Sequence, residues 1–315
     1  MNLNFKRLLL LLLTAVTLSC SFERSEQSVQ FSATDTTHNL QVASGSIERF
    51  YVESKFVDSR NVDIWLPENY SETNQYPVLY MHDGQMLFDS TKTWNNQEWK
   101  VDEVAGNLIT NNKIPPVIVV GIWNNGDQRF AEYFPEKAIN YIPKVQRDSL
   151  MKLGPVELKA DNYLTFLVKE LKTFVDSTYS TKSGTEHSYL MGSSMGGLIS
   201  IYALSEYPDV FGGAACLSTH WVGSSEAATI IPKAINDYLE TNLPAPEDHR
   251  IYFDHGTATL DSLYPPYQDI VDQTMRQKGY TSDHWISREF EGGDHSEKSW
   301  SARLEIPLQF LFDKE

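Results

Sequence analysis

The chain has 315 residues, 41% of them hydrophobic, and a formal net charge of −16 at pH 7. This length and apolar content favour one large domain with a sizeable core, preceded by a leader and a polar segment. The negative charge argues against nucleic acid and anionic membrane surfaces as partners.

The amino terminus resembles an export signal. Lys6 and Arg7 precede an apolar stretch, residues 8–18, which is too short and too early for an ordinary membrane span. The stretch ends near Cys20, as in a bacterial lipoprotein signal. We expect residues 1–20 to be a signal peptide of the lipoprotein type, with an ordinary signal peptide as the alternative. The mature protein is then exported, either periplasmic or anchored to the outer membrane through a lipid on Cys20.

A polar segment follows this leader. Residues 21–46 are rich in Ser, Thr, Gln and Glu and poor in apolar side chains, which suits a flexible tether. The folded domain is therefore expected to span residues 47–315. Cys216, the second of two cysteines, lies in an apolar run and is expected to be an inert core thiol. Neither Cys nor His shows metal-binding spacing, so no metal is expected.

Predicted strands and helices alternate through the domain. The strands are predicted at 47–56, 61–66, 76–81, 117–122, 187–192, 211–218, 250–254 and 284–290, and the helices at 99–109, 161–179, 198–204, 267–278 and 299–312. This alternation predicts an α/β fold, with a mostly parallel central sheet and helices on both faces. Two segments interrupt it, 124–158 and 218–229, and we interpret both as parts of a substrate wall.

The most informative motif is Gly192-x-Ser194-x-Gly196, placed between a predicted strand and a predicted helix. Such an abrupt strand-to-helix turn holds the central serine on a strained bend, and glycines two residues away allow the close approach of strand and helix. The motif predicts that Ser194 is a nucleophile.

A serine nucleophile needs a base and an acid that orients the base. His295 is the candidate base, because it lies in a glycine-rich turn after the last predicted strand. Asp261, in a turn after the strand at 250–254, is the leading acid. Asp254 at the strand end and Asp294 beside the base stay open as alternatives. The order Ser194, Asp261, His295 is that of the α/β-hydrolases.

The oxyanion of the tetrahedral intermediate needs backbone N–H donors. We expect one from Met195, at the start of the helix, and one from Gln85, in the loop after an early strand, with Met86 as the alternative. In the same loop, His82 is interpreted as structural and Asp83 as a hydrogen-bonding partner of local backbone.

Taken together, these segments resemble the esterase branch of the α/β-hydrolases. That branch includes enterochelin esterases, feruloyl and acetyl-xylan esterases, S-formylglutathione hydrolase and mycolyltransferases. The resemblance implies hydrolysis of a carboxylic ester without a cofactor or metal. It rests on His82-Asp83-Gly84-Gln85-x-Leu87-Phe88-Asp89, Arg129-x-x-Glu132-Tyr133-x-Pro135, Gly192-x-Ser194-x-Gly196-Gly197, Gly256-Thr257 with Asp261, and Gly292-Gly293-Asp294-His295 with Trp300 and Arg303.

Three further residues are candidates for substrate binding. Trp221 lies in a segment that looks like the family's aromatic-rich pocket and could stack on a sugar or aryl ring, with simple packing as the alternative. Trp123 has the same two interpretations. Arg129 is predicted to bind a carboxylate or catecholate, or else to form a salt bridge with Glu132.

The combined hypothesis is an exported serine esterase acting on a carbohydrate-linked ester, acetyl or feruloyl. A siderophore esterase, an acyltransferase with the same triad and a non-catalytic glycan-binding protein are the alternatives. The expected partner is a small-molecule or glycan ester, with membrane contact only through the lipid. The sequence leaves the oligomeric state open.

Overall fold

The computed structural model describes residues 29–34, 40–153, 157–222 and 229–313. The predicted signal peptide and Cys20 lie outside this part of the chain. Within the described ranges, no helix has both the length and the apolar character that a membrane span requires.

A nine-stranded sheet forms the centre of the domain. Its order is β1-β2-β3-β5-β4-β6-β7-β8-β9. The first three strands and the β3–β5 pair are antiparallel, whereas the strands from β5 across to β9 are parallel. The strands are β1 Gln30–Thr34, β2 Ser46–Glu53, β3 Arg60–Leu66, β4 Val78–His82, β5 Ile118–Ile122, β6 Ser188–Ser193, β7 Gly213–Leu217, β8 Arg250–Gly256 and β9 Trp285–Phe290.

Helices cover both faces of this sheet. A π-helical segment, Phe166–Leu171, joins α4 to α5. The helices are α1 Val101–Thr110, α2 Arg129–Tyr133, α3 Lys144–Leu153, α4 Ala160–Thr165, α5 Lys172–Thr178, α6 Met195–Glu206, α7 Ile230–Asn242, α8 Pro265–Gln277, α9 Glu297–Ser301 and α10 Glu305–Leu311.

The strands separate two apolar cores, as β4 shows. Its alternate residues Val78 and Tyr80 belong to the core that contains α6, whereas Leu79 and Met81 belong to the core that contains α1 and α10. Successive side chains of a strand point to opposite faces, so a fully buried strand must be apolar on both. The prediction of a mostly parallel sheet with helices on both faces is confirmed.

The structure differs from the predicted flexible tether at those of residues 21–46 that it describes. Gln30–Thr34 is not free but pairs with β2 as the edge strand of the sheet. Phe31 stacks on Phe174 with 3.9 Å between ring centroids. Val29 and Phe31, two apolar side chains in this mostly polar segment, pack half-buried against the core, and edge pairing satisfies the backbone around Phe31.

The last predicted helix, 299–312, is broken into α9 and α10. The turn between them lets the buried Arg303 reach Asp254. Pro307 has no N–H and therefore cannot extend a helix that began earlier. A further difference is helix α7, Ile230–Asn242, which is not among the predicted helices.

Residues 124–158 are not one long loop. They contain α2, α3 and two short 3₁₀ helices, Gly126–Gln128 and Glu136–Tyr141. Tyr133 and Ala138 are fully buried, so the middle of this segment is part of the core. Only the first residues of this segment lie beside the site described next, so a role as substrate wall is restricted to them.

Candidate active site

Ser194 lies at the bend between β6 and α6. Its backbone has φ 55° and ψ −122°, a conformation that non-glycine residues rarely adopt. Strand and helix approach so closely that a Cβ at Gly192 would lie 2.6 Å from the carbonyl carbon of Gly196. The Ser194 amide donates to the Leu217 carbonyl at 3.0 Å, which fixes the bend to β7. The predicted strand–bend–helix arrangement is present, with the serine half-buried.

His295 lies between β9 and α9, and its ring faces Asp261. The distance from His295 Nδ1 to Asp261 Oδ1 is 2.6 Å. The His295 amide donates to Thr259 Oγ1 at 2.9 Å, which ties the two loops together. An Nδ1–H donated to a carboxylate leaves Nε2 as the proton acceptor of a neutral ring.

Asp261 is fully buried, yet it is held in the charged form. Burial alone raises the pKa of its carboxyl group, but hydrogen bonds from His295, Ser218 and the Gly256 amide lower it below the ordinary value. The Ser218 hydroxyl lies 2.5 Å and the Gly256 amide 2.7 Å from Oδ2. This environment stabilises a negative charge beside the His295 ring.

The two alternative acids have other partners. Asp254 accepts hydrogen bonds from Arg303 at 2.9 and 3.1 Å. Asp294 accepts from the hydroxyls of Ser296 and Ser299. Asp261 is therefore the carboxylate that the structure pairs with His295.

Ser218 was not singled out in the sequence, although it follows β7 at the carboxyl edge of the sheet. Its hydroxyl accepts hydrogen bonds from Trp300 Nε1 and Arg303, both at 2.9 Å, while donating to Asp261. The Trp300 ring also meets the His295 ring edge-on, with 5.1 Å between centroids. Ser218 therefore links the residues around the His295–Asp261 pair.

Tyr264 is a second site residue that the sequence analysis missed. It is fully buried. Its hydroxyl lies 3.1 Å from His220 Nδ1, and the neighbouring Ser194 side chain opposes the rise that burial and Asp261 cause in the pKa of Tyr264. Its ring stands nearly perpendicular to that of His295, at 5.8 Å between centroids. Because Tyr264 contacts both Ser194 and His295, the two belong to one site.

The predicted oxyanion donors flank the elbow. Gln85 lies in the 3₁₀ helix Gly84–Met86, which follows β4. A Cβ at Gly196 would be 3.3 Å from Asp83 Oδ2, so this turn lies against the start of α6. The Met86 amide is engaged by the Asp83 carbonyl at 2.9 Å, which disfavours the alternative donor. Within the described part of the chain, neither the Gln85 nor the Met195 amide donates to another protein atom.

Arg129 is not paired with Glu132, so that prediction is wrong. It forms a bidentate ion pair with Asp83, both distances being 2.7 Å. Glu132 instead pairs with the buried Arg60 at 2.6 and 2.9 Å. Burial raises the pKa of Asp83, but Arg129 holds it below its ordinary value. Asp83 was predicted to hydrogen-bond local backbone, but its carboxylate instead pairs with the distant Arg129.

His82 has the surroundings of a structural residue. It is 1% exposed, and its Nδ1 lies 2.8 Å from the Tyr163 hydroxyl. Burial lowers the pKa of His82 to about 4. The ring is therefore neutral at neutral pH.

The structure places the two candidate tryptophans differently. Trp221 is 2% exposed, and its Nε1 donates to Gln268 at 2.9 Å. Its ring also packs against Phe253 with 5.8 Å between ring centroids, which favours the packing interpretation. Trp123 is half-buried, donates to Asp63 at 2.9 Å and lies 4.6 Å beneath the Arg49 guanidinium. Both faces of an indole can stack, so Trp123 stays a candidate with one face already used.

Two further features lie outside this site. A cavity of about 910 Å³ is lined by residues that precede or begin strands, including Pro77, His187 and Gly212. It is at the amino edge of the sheet, whereas ligands of open α/β sheets bind beyond the carboxyl ends. Cys216 is buried, which raises the pKa of its thiol. The described residues contain no group of His, Cys, Asp or Glu side chains arranged to hold a metal.

Comparison with known proteins identifies relatives. The sequence profile of the family described as "Putative esterase" matches residues 54–310. The protein YbbA of Bacillus subtilis is 22% identical over 263 residues, which are 81% of this chain and 94% of that protein. An endo-1,4-beta-xylanase/feruloyl esterase of Xylanibacter ruminicola is 24% identical over 309 residues, 92% of this chain but only 35% of that protein. The crystal structure of the enterobactin esterase from Shigella flexneri superimposes with a TM-score of 0.63 at 18% identity, covering 86% of this chain and 60% of that one.

Proposed function

Because the chain belongs to the "Putative esterase" family and is a carboxylic ester hydrolase of the α/β-hydrolase type, we propose that Ser194, His295 and Asp261 are its catalytic triad. The observation that carries this proposal is the 2.6 Å contact between His295 and Asp261, in one site with the strained Ser194. Tyr264, in contact with both Ser194 and His295, supports the same grouping.

The proposed reaction follows from these positions. His295 takes the hydroxyl proton of Ser194 while its oxygen attacks the ester carbonyl, and Asp261 stabilises the imidazolium that forms. The amides of Met195 and Gln85 donate to the developing oxyanion. His295 then gives the proton to the departing alcohol, leaving an acyl group on Ser194. Water, activated by the same imidazole, hydrolyses this acyl-enzyme.

The proposed substrate is a carbohydrate-linked ester with an acetyl or feruloyl acyl group. The similarity to a protein named as both xylanase and feruloyl esterase supports it, together with the proposed export of the chain. The structural similarity to an enterobactin esterase makes a siderophore ester the second candidate. An acyltransferase would use the same three residues and differ only in its acceptor.

An ester panel tests the substrate. Acetyl-xylan, methyl ferulate and a triscatecholate lactone are each incubated with the purified protein and with Ser194→Ala. We expect the wild type, but not Ser194→Ala, to hydrolyse either acetyl-xylan or methyl ferulate. Preferred hydrolysis of the lactone would replace the carbohydrate proposal by the siderophore one. Product analysis with an added acceptor sugar separates hydrolysis from acyl transfer.

The triad proposal has a test that is independent of the substrate. A fluorophosphonate probe reacts with an activated serine, and mass spectrometry locates the adduct. We expect labelling on Ser194 and none in His295→Ala. An unlabelled but folded wild-type protein would favour a non-catalytic glycan-binding role.

We also propose export as a lipoprotein. The leader sequence, residues 1–20, supports this because basic residues precede a short apolar run that ends near Cys20. Palmitate labelling of the protein expressed in bacteria should be lost in Cys20→Ala. Labelling that persisted in this variant would place the lipid elsewhere.

A further inference from the structure

Trp94 is the most exposed of the large apolar side chains in the described structure. Its exposed fraction is 84%. An indole left in water forgoes a large favourable burial. The surroundings of Trp94 indicate whether this exposure serves binding.

The segment that carries Trp94 is held firmly. The Thr93 hydroxyl donates to the Ser90 carbonyl at 3.0 Å, and the Ser90 amide donates to Glu98 Oε2 at 2.7 Å. Beyond Trp94, the Gln97 amide donates to Asn95 Oδ1 at 3.1 Å. Hydrogen bonds on both sides therefore present the indole from an ordered turn.

This segment is fastened to the helix that follows His295. Asn95 Nδ2 donates to Glu297 Oε2 at 2.8 Å, and the Lys298 amide donates to Gln97 Oε1 at 3.1 Å. Trp94 therefore stands on the His295 side of the site.

A chain of aromatic rings reinforces the connection. Trp99 contacts Trp300 with 5.5 Å between ring centroids, and Trp300 meets His295 at 5.1 Å. Both tryptophans are buried, so the Trp94 segment and the His295 loop share one packed base. Their relative position is set by the core rather than by the surface bonds alone.

We propose that Trp94 is a binding platform for a pyranose ring in the alcohol part of the ester. This inference rests on the proposed function, in which His295 gives its proton to the leaving alcohol, so that the alcohol occupies the side of His295. A flat indole suits the apolar face of a sugar ring, and rigid aromatics provide contact area at low entropic cost.

The neighbours of Trp94 fit the same ligand. The exposed Asn96 and the half-buried Gln97 follow it in sequence, and their neutral amide groups can hydrogen-bond sugar hydroxyls. The acidic Asp89, Glu98, Asp294 and Glu297 share these segments with Lys92, Lys100 and Lys298, so this side of the site offers no strong surplus of positive charge to an anionic catecholate. The platform therefore favours a neutral glycan over a siderophore.

The experiment compares two esters that share an acyl group and differ in the alcohol. Feruloylated xylo-oligosaccharide and methyl ferulate are used, or acetylated xylo-oligosaccharide and p-nitrophenyl acetate. We expect Trp94→Ala to lower the ratio of kcat/KM for the glycan ester over the small ester by about tenfold, mainly through KM. Trp94→Phe should retain part of the preference. Tyr51→Ala removes an aromatic side chain that is 43% exposed on β2, and it should leave the ratio unchanged.

Binding is measured separately by calorimetry with unesterified xylohexaose. We expect the wild type to bind it and Trp94→Ala to bind it about tenfold more weakly. An unchanged ester ratio together with unchanged xylohexaose affinity in Trp94→Ala would overturn the platform. If the wild type hydrolysed neither ester but bound xylohexaose through Trp94, the proposed esterase specificity would fail and the platform would stand.

Discussion

The hydroxyl of Ser218 donates a hydrogen bond to Asp261, with 2.5 Å between Oγ and Oδ2. The same oxygen accepts from Arg303 and Trp300. We expect Ser218→Ala to lower kcat about tenfold with little change in KM, because Asp261 loses a donor and two buried donors lose their acceptor. Steady-state kinetics on p-nitrophenyl acetate measures this.

Ser205→Ala is the matched control for that substitution. Ser205 is also buried, and its hydroxyl donates to the Ile201 carbonyl within α6 at 2.8 Å. The control should retain wild-type kcat. A wild-type kcat in Ser218→Ala as well would show that Ser218 does not position Asp261 for the reaction.

Asp261 and Asp254 are both fully buried carboxylates, but only Asp261 faces His295. Asp261→Asn should lower kcat by about 10⁴-fold, since the imidazolium loses its counter-charge and the ring its fixed orientation. Asp254→Asn should chiefly lower the free energy of unfolding, by roughly 3–5 kcal/mol, because the buried Arg303 loses the nearer of its two carboxylate partners. Kinetics and urea unfolding on both variants measure the two effects. A larger loss of kcat in Asp254→Asn than in Asp261→Asn would show that Asp254, and not Asp261, is the acid of the triad.

The Arg129–Asp83 ion pair supports the turn that carries Gln85. Arg129→Met should lower kcat for every ester by a similar factor, about tenfold, because a loosened turn displaces an oxyanion donor. Direct binding of substrate by Arg129 would instead raise KM for anionic esters alone. Lys172→Met removes another partly buried ion pair, to Asp176 at 2.8 Å in α5, and should leave kcat unchanged.

The buried His82 makes stability depend on pH. Its folded-state pKa is about 4, lowered by burial from the ordinary value of 6.5. Between these two pH values only the unfolded chain binds a proton on this histidine. The contribution of His82 to the free energy of unfolding is therefore complete above pH 6.5 and is lost as the pH falls towards 4. The expected loss is roughly 3 kcal/mol of unfolding free energy.

Urea unfolding at about pH 7.5 and about pH 5 measures this dependence in the wild type and in His82→Asn. The variant lacks the imidazole, so its unfolding free energy should change less between the two conditions. An equal change in both proteins would show that other groups, including carboxylates, carry the acid sensitivity.

Tyr264→Phe tests the contact between Tyr264 and Ser194. The Ser194 side chain interacts with the Tyr264 oxygen and opposes the rise of its pKa, and such an interaction restricts the rotation of the serine hydroxyl. We expect the variant to react about fivefold more slowly with a fluorophosphonate, because the nucleophile loses a fixed orientation. Tyr280→Phe is the control, since its buried hydroxyl donates to the Pro244 carbonyl away from the site. Equal or faster labelling of Tyr264→Phe would contradict a positioning role.

The sheet and the elbow around Ser194 were readable in the sequence. Continuous apolar runs predicted the buried strands, since both faces of a central strand must be apolar. Glycines on either side of Ser194 predicted the bend, because their effect is exerted within a few residues of the chain. His295 could be selected in the same way, by its place after the last strand.

Contacts between distant residues could not be read in this way. Asp254 lies within β8 and Asp261 follows the same strand, and only the position of Arg303 shows which one is left to face His295. Ser218 and Tyr264 belong to no local motif, and their roles depend on partners from other loops. Local geometry is set by neighbouring residues and is therefore written in the sequence. The pairing of buried polar groups is decided only when the chain folds and each donor competes for an acceptor.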